Sequence, residues 1–193
     1  MCKTATPPAV SNIATHSELC SGGAGFAAEK LQIGGPLYCD SELTFVSVPS
    51  FLVGATTIHT ANGDANSDTA DTEYLCFNIE SEATVYILYD PRVADGEEPA
   101  WLTNNAVAQH KLVVHVSDTT TMKIFIYHYT SGPETVCVGG NRAQGATSHY
   151  VVAVTEELVF LDSDVKEVFG GNRAADQIGR SHSRPNFYAP FEF

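Results

Sequence analysis

The sequence predicts an all-β protein, an antiparallel, jelly-roll-like β-sandwich with extended N- and C-terminal arms. Runs of β-branched and aromatic residues recur along the chain, and short turn sequences rich in Gly, Ser, Asp and Pro separate them. Helical character is confined to residues 25–32 and to a turn near residues 101–108. With 193 residues, of which 44% are hydrophobic, the chain is long enough to bury one core.

The run at residues 84–89 predicts the central strand of a sheet. Side chains alternate between the two faces of a strand, which places Val85, Ile87 and Tyr89 on one face. Tyr86 and Leu88 lie on the other, so both faces are apolar and both are expected to be covered. Further strands are predicted at residues 112–116, 123–129, 150–155 and 158–161.

Five short sequence words follow one another in a fixed order. They are Tyr74-Leu75-Cys76-Phe77, Thr84-Val85-Tyr86, Tyr89-Asp90-Pro91-Arg92, Pro99-Ala100-Trp101-Leu102 and Gly139-Gly140-Asn141. Over residues 36–154 this succession resembles a non-catalytic β-sandwich module found at the ends of secreted bacterial polysaccharide-degrading enzymes. The resemblance implies a sandwich at 36–155, an N-terminal arm at 1–35 and a strand-forming C-terminal arm at 156–193.

The same words suggest which residues hold the scaffold together. Asp90 and Arg92 are expected to form a buried or half-buried ion pair that locks the loop covered by Trp101. Gly139 and Gly140 are expected to provide positive φ angles in a tight turn. The sequence of this turn recurs at residues 170–174, which predicts a duplicated turn.

The five cysteines have no Cys-x-x-Cys spacing, which disfavours a zinc ribbon or a thioredoxin-like site. Cys76 and Cys137 stand where the resembling module usually has small polar residues, and we expect them to face each other across neighbouring strands. Cys20 and Cys39 bracket a Gly-rich segment that a disulfide would staple, which leaves Cys2 free or joined to another chain. Disulfides favour an extracellular or cell-surface location, and buried free thiols are the alternative.

The net charge argues against one class of partner, and the lengths of the apolar runs argue against another. Asp and Glu number 23 against 10 Lys and Arg, a net charge of −13. Nucleic-acid binding needs clustered cations, so no nucleic-acid partner is expected. No apolar run approaches the roughly 18 residues of a membrane-spanning helix, so no membrane insertion is expected either.

The segment 62–73 has oxygen-bearing side chains at alternate positions, as calcium loops do. Its candidate ligands are Asp64, Asn66, Asp68 and Asp71. The EF-hand pattern fails, however, because the sixth position counted from Asp64 is Thr69 and not Gly, and the twelfth is Leu75 and not Glu. A solvated loop is the alternative, and no other cofactor is expected.

No catalytic arrangement can be assembled from the sequence. There is no Gly-x-Ser-x-Gly elbow, and no cysteine has a base nearby in sequence. A pair of carboxylates for glycoside hydrolysis can be chosen only arbitrarily. We therefore expect a protein that is not an enzyme.

The C-terminal seven residues contain four aromatic side chains, which are costly to leave in water at roughly 25 cal/mol per Å². They dock either on their own sandwich or on a neighbouring copy. Docking on a neighbour predicts a homo-oligomer or filament, a self-assembling extracellular structural subunit that exchanges arms or strands. The assembly residues would be Cys2, Phe187, Tyr188, Phe191 and Phe193.

The alternative function is a carbohydrate-binding module of a secreted or cell-surface protein. Trp101, the only tryptophan, together with Tyr127 and Tyr129 is a candidate platform for sugar rings. The competing interpretation of Trp101 is a core residue that caps the sandwich.

Overall fold

The computed structural model describes residues 10–20, 26–104 and 106–156, apart from the side chains of His110 and Lys111. Within them, β1 to β4 are Val10–Thr15, Ala27–Lys30, Phe45–Ser47 and Thr56–His59, and β5 to β7 are Leu75–Ile79, Ala83–Tyr89 and Val107–Val116. Strands β8 to β10 are Thr121–Tyr129, Glu134–Val138 and Val151–Glu156. The single α-helical turn, α1, is Ala100–Thr103, and single 3₁₀ turns lie at Ser50–Leu52 and Asn62–Asp64.

These strands form two antiparallel sheets. The larger has seven strands in the order β2-β4-β10-β6-β8-β7-β3, and the smaller has three in the order β1-β5-β9. The predicted all-β antiparallel sandwich is confirmed. No helix in the described ranges is long and apolar enough to cross a membrane.

The large sheet has a hydrophobic layer on each face. One layer fills the space against the small sheet and includes Phe77 and Val136 from that sheet together with Val85 and Val152 from the large one. The other layer covers the opposite face, where side chains of the segment 31–55 pack on the large sheet. Burial on both faces explains why the middle strands of this sheet have no polar side.

Strand β6 occupies the middle of the large sheet, as predicted, and every one of its residues is buried. Val85, Ile87 and Tyr89 belong to the layer against the small sheet. Tyr86 and Leu88 belong to the opposite layer. The alternation in the sequence therefore assigned both faces of β6 correctly.

The predicted helix at residues 25–32 is wrong, because Ala27–Lys30 forms edge strand β2 and pairs with β4. Ala, Glu and Lys are good helix formers, but intrinsic propensity is small in energy and pairing with a distant strand overrides it. Two strands, β1 and β2, lie inside the segment predicted to be an N-terminal arm. Residues 157–193, including the predicted strand at 158–161 and the second copy of the turn, lie outside the described residues.

Candidate functional site

One side of the sandwich contains an open cleft of about 460 Å³. Strand β8 supplies one wall and strand β9, with the residue that follows it, supplies another. Helix α1 contributes an aromatic side chain. The residues that line this feature, called the aromatic cleft below, are Thr72, Trp101, Tyr127, His128, Tyr129, Cys137 and Gly139.

Two strand edges meet at the aromatic cleft. Strand β7 pairs with β8 only as far as Val107 opposite Ile126, so within the described part of the chain residues 127–129 pair with β6 alone. Strand β9 pairs only with β5 among the strands that the structure describes. Edge strands expose main-chain N–H and C=O groups that have no ladder partner. The cleft therefore offers polar main-chain groups beside its aromatic rings.

Trp101 is held in position by contacts on three sides. Its Nε1 donates a hydrogen bond to the Gly140 carbonyl at 2.8 Å, and its ring meets the Tyr150 ring edge-on at 5.5 Å between centroids. A Cβ atom on Gly139 would lie 2.6 Å from Trp101 Cδ1, so the indole can pack at this position only because residue 139 has no side chain. The side chain remains half-buried. It is thus fixed and also accessible.

Tyr127 joins β8 to the helical turn that carries Trp101. The Tyr127 hydroxyl donates towards the carbonyls of Trp101 and Leu102, at 3.2 and 3.4 Å. Two residues further along the same strand, Tyr129 lies on the same face and is half-buried like Tyr127. The predicted trio of Trp101, Tyr127 and Tyr129 is therefore brought together in one cleft.

The titratable groups of the cleft stay neutral near pH 7. Burial raises the pKa of Tyr127 well above its usual value, and the nearby Tyr129 adds to this shift. Burial, with the Glu134 carboxylate, raises the pKa of Tyr129 to about 12. Burial also lowers the pKa of His128, whose imidazole lies on the opposite face of β8 from the two tyrosines and contacts the Thr84 hydroxyl. Neutral tyrosine hydroxyl groups can both donate and accept hydrogen bonds.

A disulfide reinforces one wall of the cleft. Cys76 and Cys137 are directly opposite each other on β5 and β9 and are bonded, with 4.1 Å between their Cα atoms. Cys20 and Cys39 form the second disulfide, with a Cα–Cα distance of 6.0 Å. Both pairs match the pairing expected from the sequence. Cys2 lies outside the described residues.

A separate polar cluster, called the Asp90 lock below, consists of Asp90, Arg92, Thr147 and Ser148. Arg92 donates from its main-chain N and its Nε to Asp90 Oδ1, at 2.9 and 2.7 Å. The main-chain N–H groups of Thr147 and Ser148 donate to Asp90 Oδ2, both at 2.9 Å. Burial raises the pKa of Asp90, but these hydrogen bonds outweigh it and hold the pKa below its ordinary value.

The ion pair of the Asp90 lock is present as predicted, but Trp101 does not cover its loop. Asp90 is fully buried, and it ties the start of the loop after β6 to the segment that precedes β10. Trp101 instead packs on Tyr150 and Gly139. The lock and the aromatic cleft therefore contact different residues.

The expected positive φ angles at Gly139 and Gly140 are wrong, since neither residue is among those with positive φ. These positions require glycine because other groups approach them closely. A Cβ on Gly140 would lie only 2.1 Å from the Asp68 carbonyl oxygen. Asn141, fully buried, then donates from Nδ2 to the carbonyls of Ala65 and Ser148, at 3.1 and 3.0 Å.

The calcium candidates have protein partners in the structure. Ser17 Oγ and Tyr74 Oη both donate to Asp64 Oδ2 at 2.5 Å. Asp68 accepts from the Ala70 N–H at 3.0 Å, and Asp71 lies 2.6 Å from His16 Nδ1. Asn66 is exposed. Within residues 10–20, 26–104 and 106–156, no three His, Cys, Asp or Glu side chains are grouped so that they could hold a metal ion.

The predicted assembly residues Cys2, Phe187, Tyr188, Phe191 and Phe193 all lie outside the described residues. Conversely, sequence reasoning did not assign Thr72, His128 or Gly139 to a site, and it gave Cys137 only a disulfide role. For His128, strand alternation predicts the face of β8 opposite the two candidate tyrosines, so its place at the cleft carried no usable signal. Thr72 carried none, since its place in the cleft depends on a contact between distant segments.

No protein-family model and no curated protein matches this chain. Among solved structures, it is similar to part of a β-glucuronidase from glycoside hydrolase family 2, with a TM-score of 0.60 and 21% identity. The similarity covers 75% of this chain and 14% of that chain. A GH138 enzyme targeting pectin rhamnogalacturonan II aligns with a TM-score of 0.48 and 13% identity, over 81% of this chain and 18% of that one.

The present chain thus spans about one seventh of the length of the β-glucuronidase that it matches. At this identity the likeness concerns the fold alone. It is compatible with the predicted resemblance to a β-sandwich module of polysaccharide-degrading enzymes.

Proposed function

We propose that the aromatic cleft binds carbohydrate and that the chain acts as a non-catalytic carbohydrate-binding module of a secreted or cell-surface protein. The observation that carries this proposal is the cleft itself, in which Trp101, Tyr127 and Tyr129 are half-buried around a space of about 460 Å³. This volume is within the range of small-ligand sites, roughly 300–1,000 Å³.

The chemistry of the lining suits a sugar. Pyranose rings have apolar C–H faces and a rim of hydroxyl groups, so they pair with aromatic rings that have polar groups beside them. Here the rings stand next to Thr72 and to two strand edges that have no ladder partner among the described residues. The platform is preformed, because Trp101 and Tyr127 are already fixed by hydrogen bonds. Preformed sites bind with a smaller loss of conformational entropy.

Two further observations agree with the proposal. The fold is similar to a segment of a β-glucuronidase, a protein that acts on carbohydrate. Two disulfides are typical of proteins from oxidising compartments, where extracellular glycans are found. Self-assembly through Cys2 and the aromatic C-terminal residues stays a prediction, because those residues lie outside the described ranges.

Affinity electrophoresis of the full chain tests the proposal. Native gels would contain one of several soluble neutral polysaccharides, namely galactomannan, xyloglucan, mixed-linkage β-glucan or hydroxyethyl cellulose. We expect at least one to retard the protein. Tyr129→Ala is expected to weaken that retardation roughly tenfold in apparent Kd, the order expected when a stacked aromatic ring is removed.

Phe51→Ala is the matched control for Tyr129→Ala. Phe51 is also a half-buried aromatic residue, but it packs on Tyr86 in the opposite hydrophobic layer. It should lose a similar amount of packing and keep the retardation. Absence of retardation by every polysaccharide would refute carbohydrate binding, and equal losses in the two variants would refute the cleft as its location.

A further inference from the structure

The charge around the aromatic cleft specifies the class of sugar more closely than its shape does. Among the residues that the structure describes, none that lines the cleft is a lysine or an arginine. Carboxylate groups on ligands are usually bound by such cations, most effectively by the two-pronged guanidinium of arginine. The lining therefore provides hydrogen-bonding groups without a counter-charge for an acidic sugar.

One acidic side chain stands close to the cleft. The carboxylate of Glu134, at the start of the strand β9 that forms one wall, is close enough to Tyr129 to act on the titration of its hydroxyl. A negatively charged ligand on this side of the cleft would meet a like charge, which is unfavourable.

Among the cationic side chains that the structure describes, Lys30 and Arg142 are exposed and do not line the cleft, and two others are engaged with carboxylates. Arg92 is bound to Asp90 in the Asp90 lock. Lys123 donates to Asp95 and Glu98, at 2.7 and 2.8 Å. Both cations are therefore already neutralised by carboxylates of this chain. The net charge of −13 acts in the same direction over a longer range.

From these observations we infer that the aromatic cleft selects neutral glycans and discriminates against uronate-containing ones. The inference rests on the proposed function and narrows its ligand class. Selection arises from repulsion by Glu134 together with the absence of lysine and arginine from the described lining residues. Such discrimination works by disfavouring the wrong ligand as much as by favouring the right one.

Matched polymers test this inference with the full chain. Galactomannan, mixed-linkage β-glucan and hydroxyethyl cellulose would each be used as such and after oxidation of a part of their C6 hydroxymethyl groups to carboxylates. We expect the oxidised form of any binding polymer to bind roughly tenfold more weakly at low salt. The difference should shrink at high salt, because the screening length falls from about 30 Å at 0.01 M to about 3 Å at 1 M.

Two charge variants locate the effect. Glu134→Gln should strengthen binding of the oxidised polymer roughly two- to fivefold, the range of an exposed charge interaction, and leave the neutral polymer unchanged. Glu29→Gln removes the same charge from exposed strand β2, which is four strands away from β8 in the large sheet. It should change neither affinity.

The outcomes separate the two proposals. If oxidised polymers bind as well as or better than their parents at low salt, the neutral-glycan inference is overturned while carbohydrate binding stands. The inference is likewise overturned if Glu134→Gln and Glu29→Gln act equally. If no polymer binds in either form, the proposed function itself fails.

Discussion

The Asp90 lock and the aromatic cleft use polar and aromatic side chains in opposite ways. In the lock, a fully buried carboxylate accepts hydrogen bonds from every direction, so its polar groups are satisfied within the protein. In the cleft, half-buried aromatic rings lie beside strand edges that have no ladder partner among the described residues. The first arrangement stabilises the fold, and the second keeps interaction capacity for a ligand. The Tyr-Asp-Pro-Arg word at 89–92 therefore serves the stability of the fold, whereas the Pro-Ala-Trp-Leu word at 99–102 contributes to the cleft.

The largest expected effect is on the Asp90 lock. Asp90→Ala leaves the Arg92 guanidinium and the N–H groups of Thr147 and Ser148 without their acceptor. Loss of one partner from a buried ion pair costs about 3–5 kcal/mol, so the free energy of unfolding in urea should fall by that order. Asp118→Ala is the control, because Asp118 is exposed and accepts one hydrogen bond from the Thr120 N–H. A loss for Asp90→Ala no larger than for Asp118→Ala would contradict the lock.

Acid should destabilise the fold through His149. This histidine is fully buried, and burial lowers its pKa to about 4, compared with 6.5 in an unfolded chain. Between pH 6.5 and 4 the unfolded state therefore binds a proton that the folded state does not, and stability falls with pH. The expected loss is about 3 kcal/mol, and the lowered pKa values of His59 and His128 act in the same direction.

The control for this pH dependence is His149→Gln, which removes the titrating group. Its unfolding free energy should decline less steeply than that of the wild type over the same pH range. Asp90 contributes little there, because its folded pKa is held below 3.8 and the unfolded state begins to bind its proton only near that value. An unchanged slope in His149→Gln would assign the acid sensitivity to another group.

Substitution of Gly140, which other main-chain atoms approach closely, should reduce stability by a smaller amount. Gly140→Ala forces a methyl group against the Asp68 main chain, and overpacking of this kind costs about 2 kcal/mol. Gly63→Ala is the matched control, since its new methyl meets Leu19 Cδ1, on a side chain exposed enough to rotate away. Thermal unfolding of both variants checks the prediction. Equal melting temperatures would show that the turn can relax and that glycine is not required there.

The smallest expected effect on stability lies within the aromatic cleft. Tyr127→Phe removes the hydroxyl that donates to the Trp101 and Leu102 carbonyls, which should cost about 1 kcal/mol of stability. Because that hydroxyl also positions the turn bearing Trp101, glycan affinity should fall as well. Tyr129→Phe serves as the control for stability, since no hydrogen bond of the Tyr129 hydroxyl is formed within the described residues. Unfolding in urea and gel retardation together separate the two effects, and a Tyr127→Phe protein identical to Tyr129→Phe would contradict them.

Local pattern was enough to predict β6, because its alternation specifies two apolar faces within six residues. It failed for β2, whose Ala, Glu and Lys residues become a strand only through pairing with β4. The chemistry of Trp101, Tyr127 and Tyr129 suggested a sugar platform from sequence. Their grouping into one cleft depends on how α1 and β8 pack, which no local pattern contains.

The glycine turn is a second case in which contacts with distant segments, which the local sequence does not specify, decide the role of a residue. Gly139 and Gly140 suggested positive φ, which is a local property, whereas their actual constraint comes from Trp101 and from the Asp68 main chain. The Cys76–Cys137 disulfide was predictable because the two cysteines were expected to face each other across neighbouring strands. That Cys137 also lines the cleft follows only from the position of β9 beside the end of β8.

The most direct test of the aromatic cleft uses Trp101 itself, which is the only tryptophan in the chain. Acrylamide quenching of its fluorescence would be measured in the full chain as a neutral polysaccharide that retards the protein is added. Trp101 should become protected from acrylamide in a saturable way, with the same Kd as the retardation, and this protection should be lost in Tyr129→Ala. Retardation without any change in Trp101 quenching would contradict this expectation, because the glycan would then bind elsewhere.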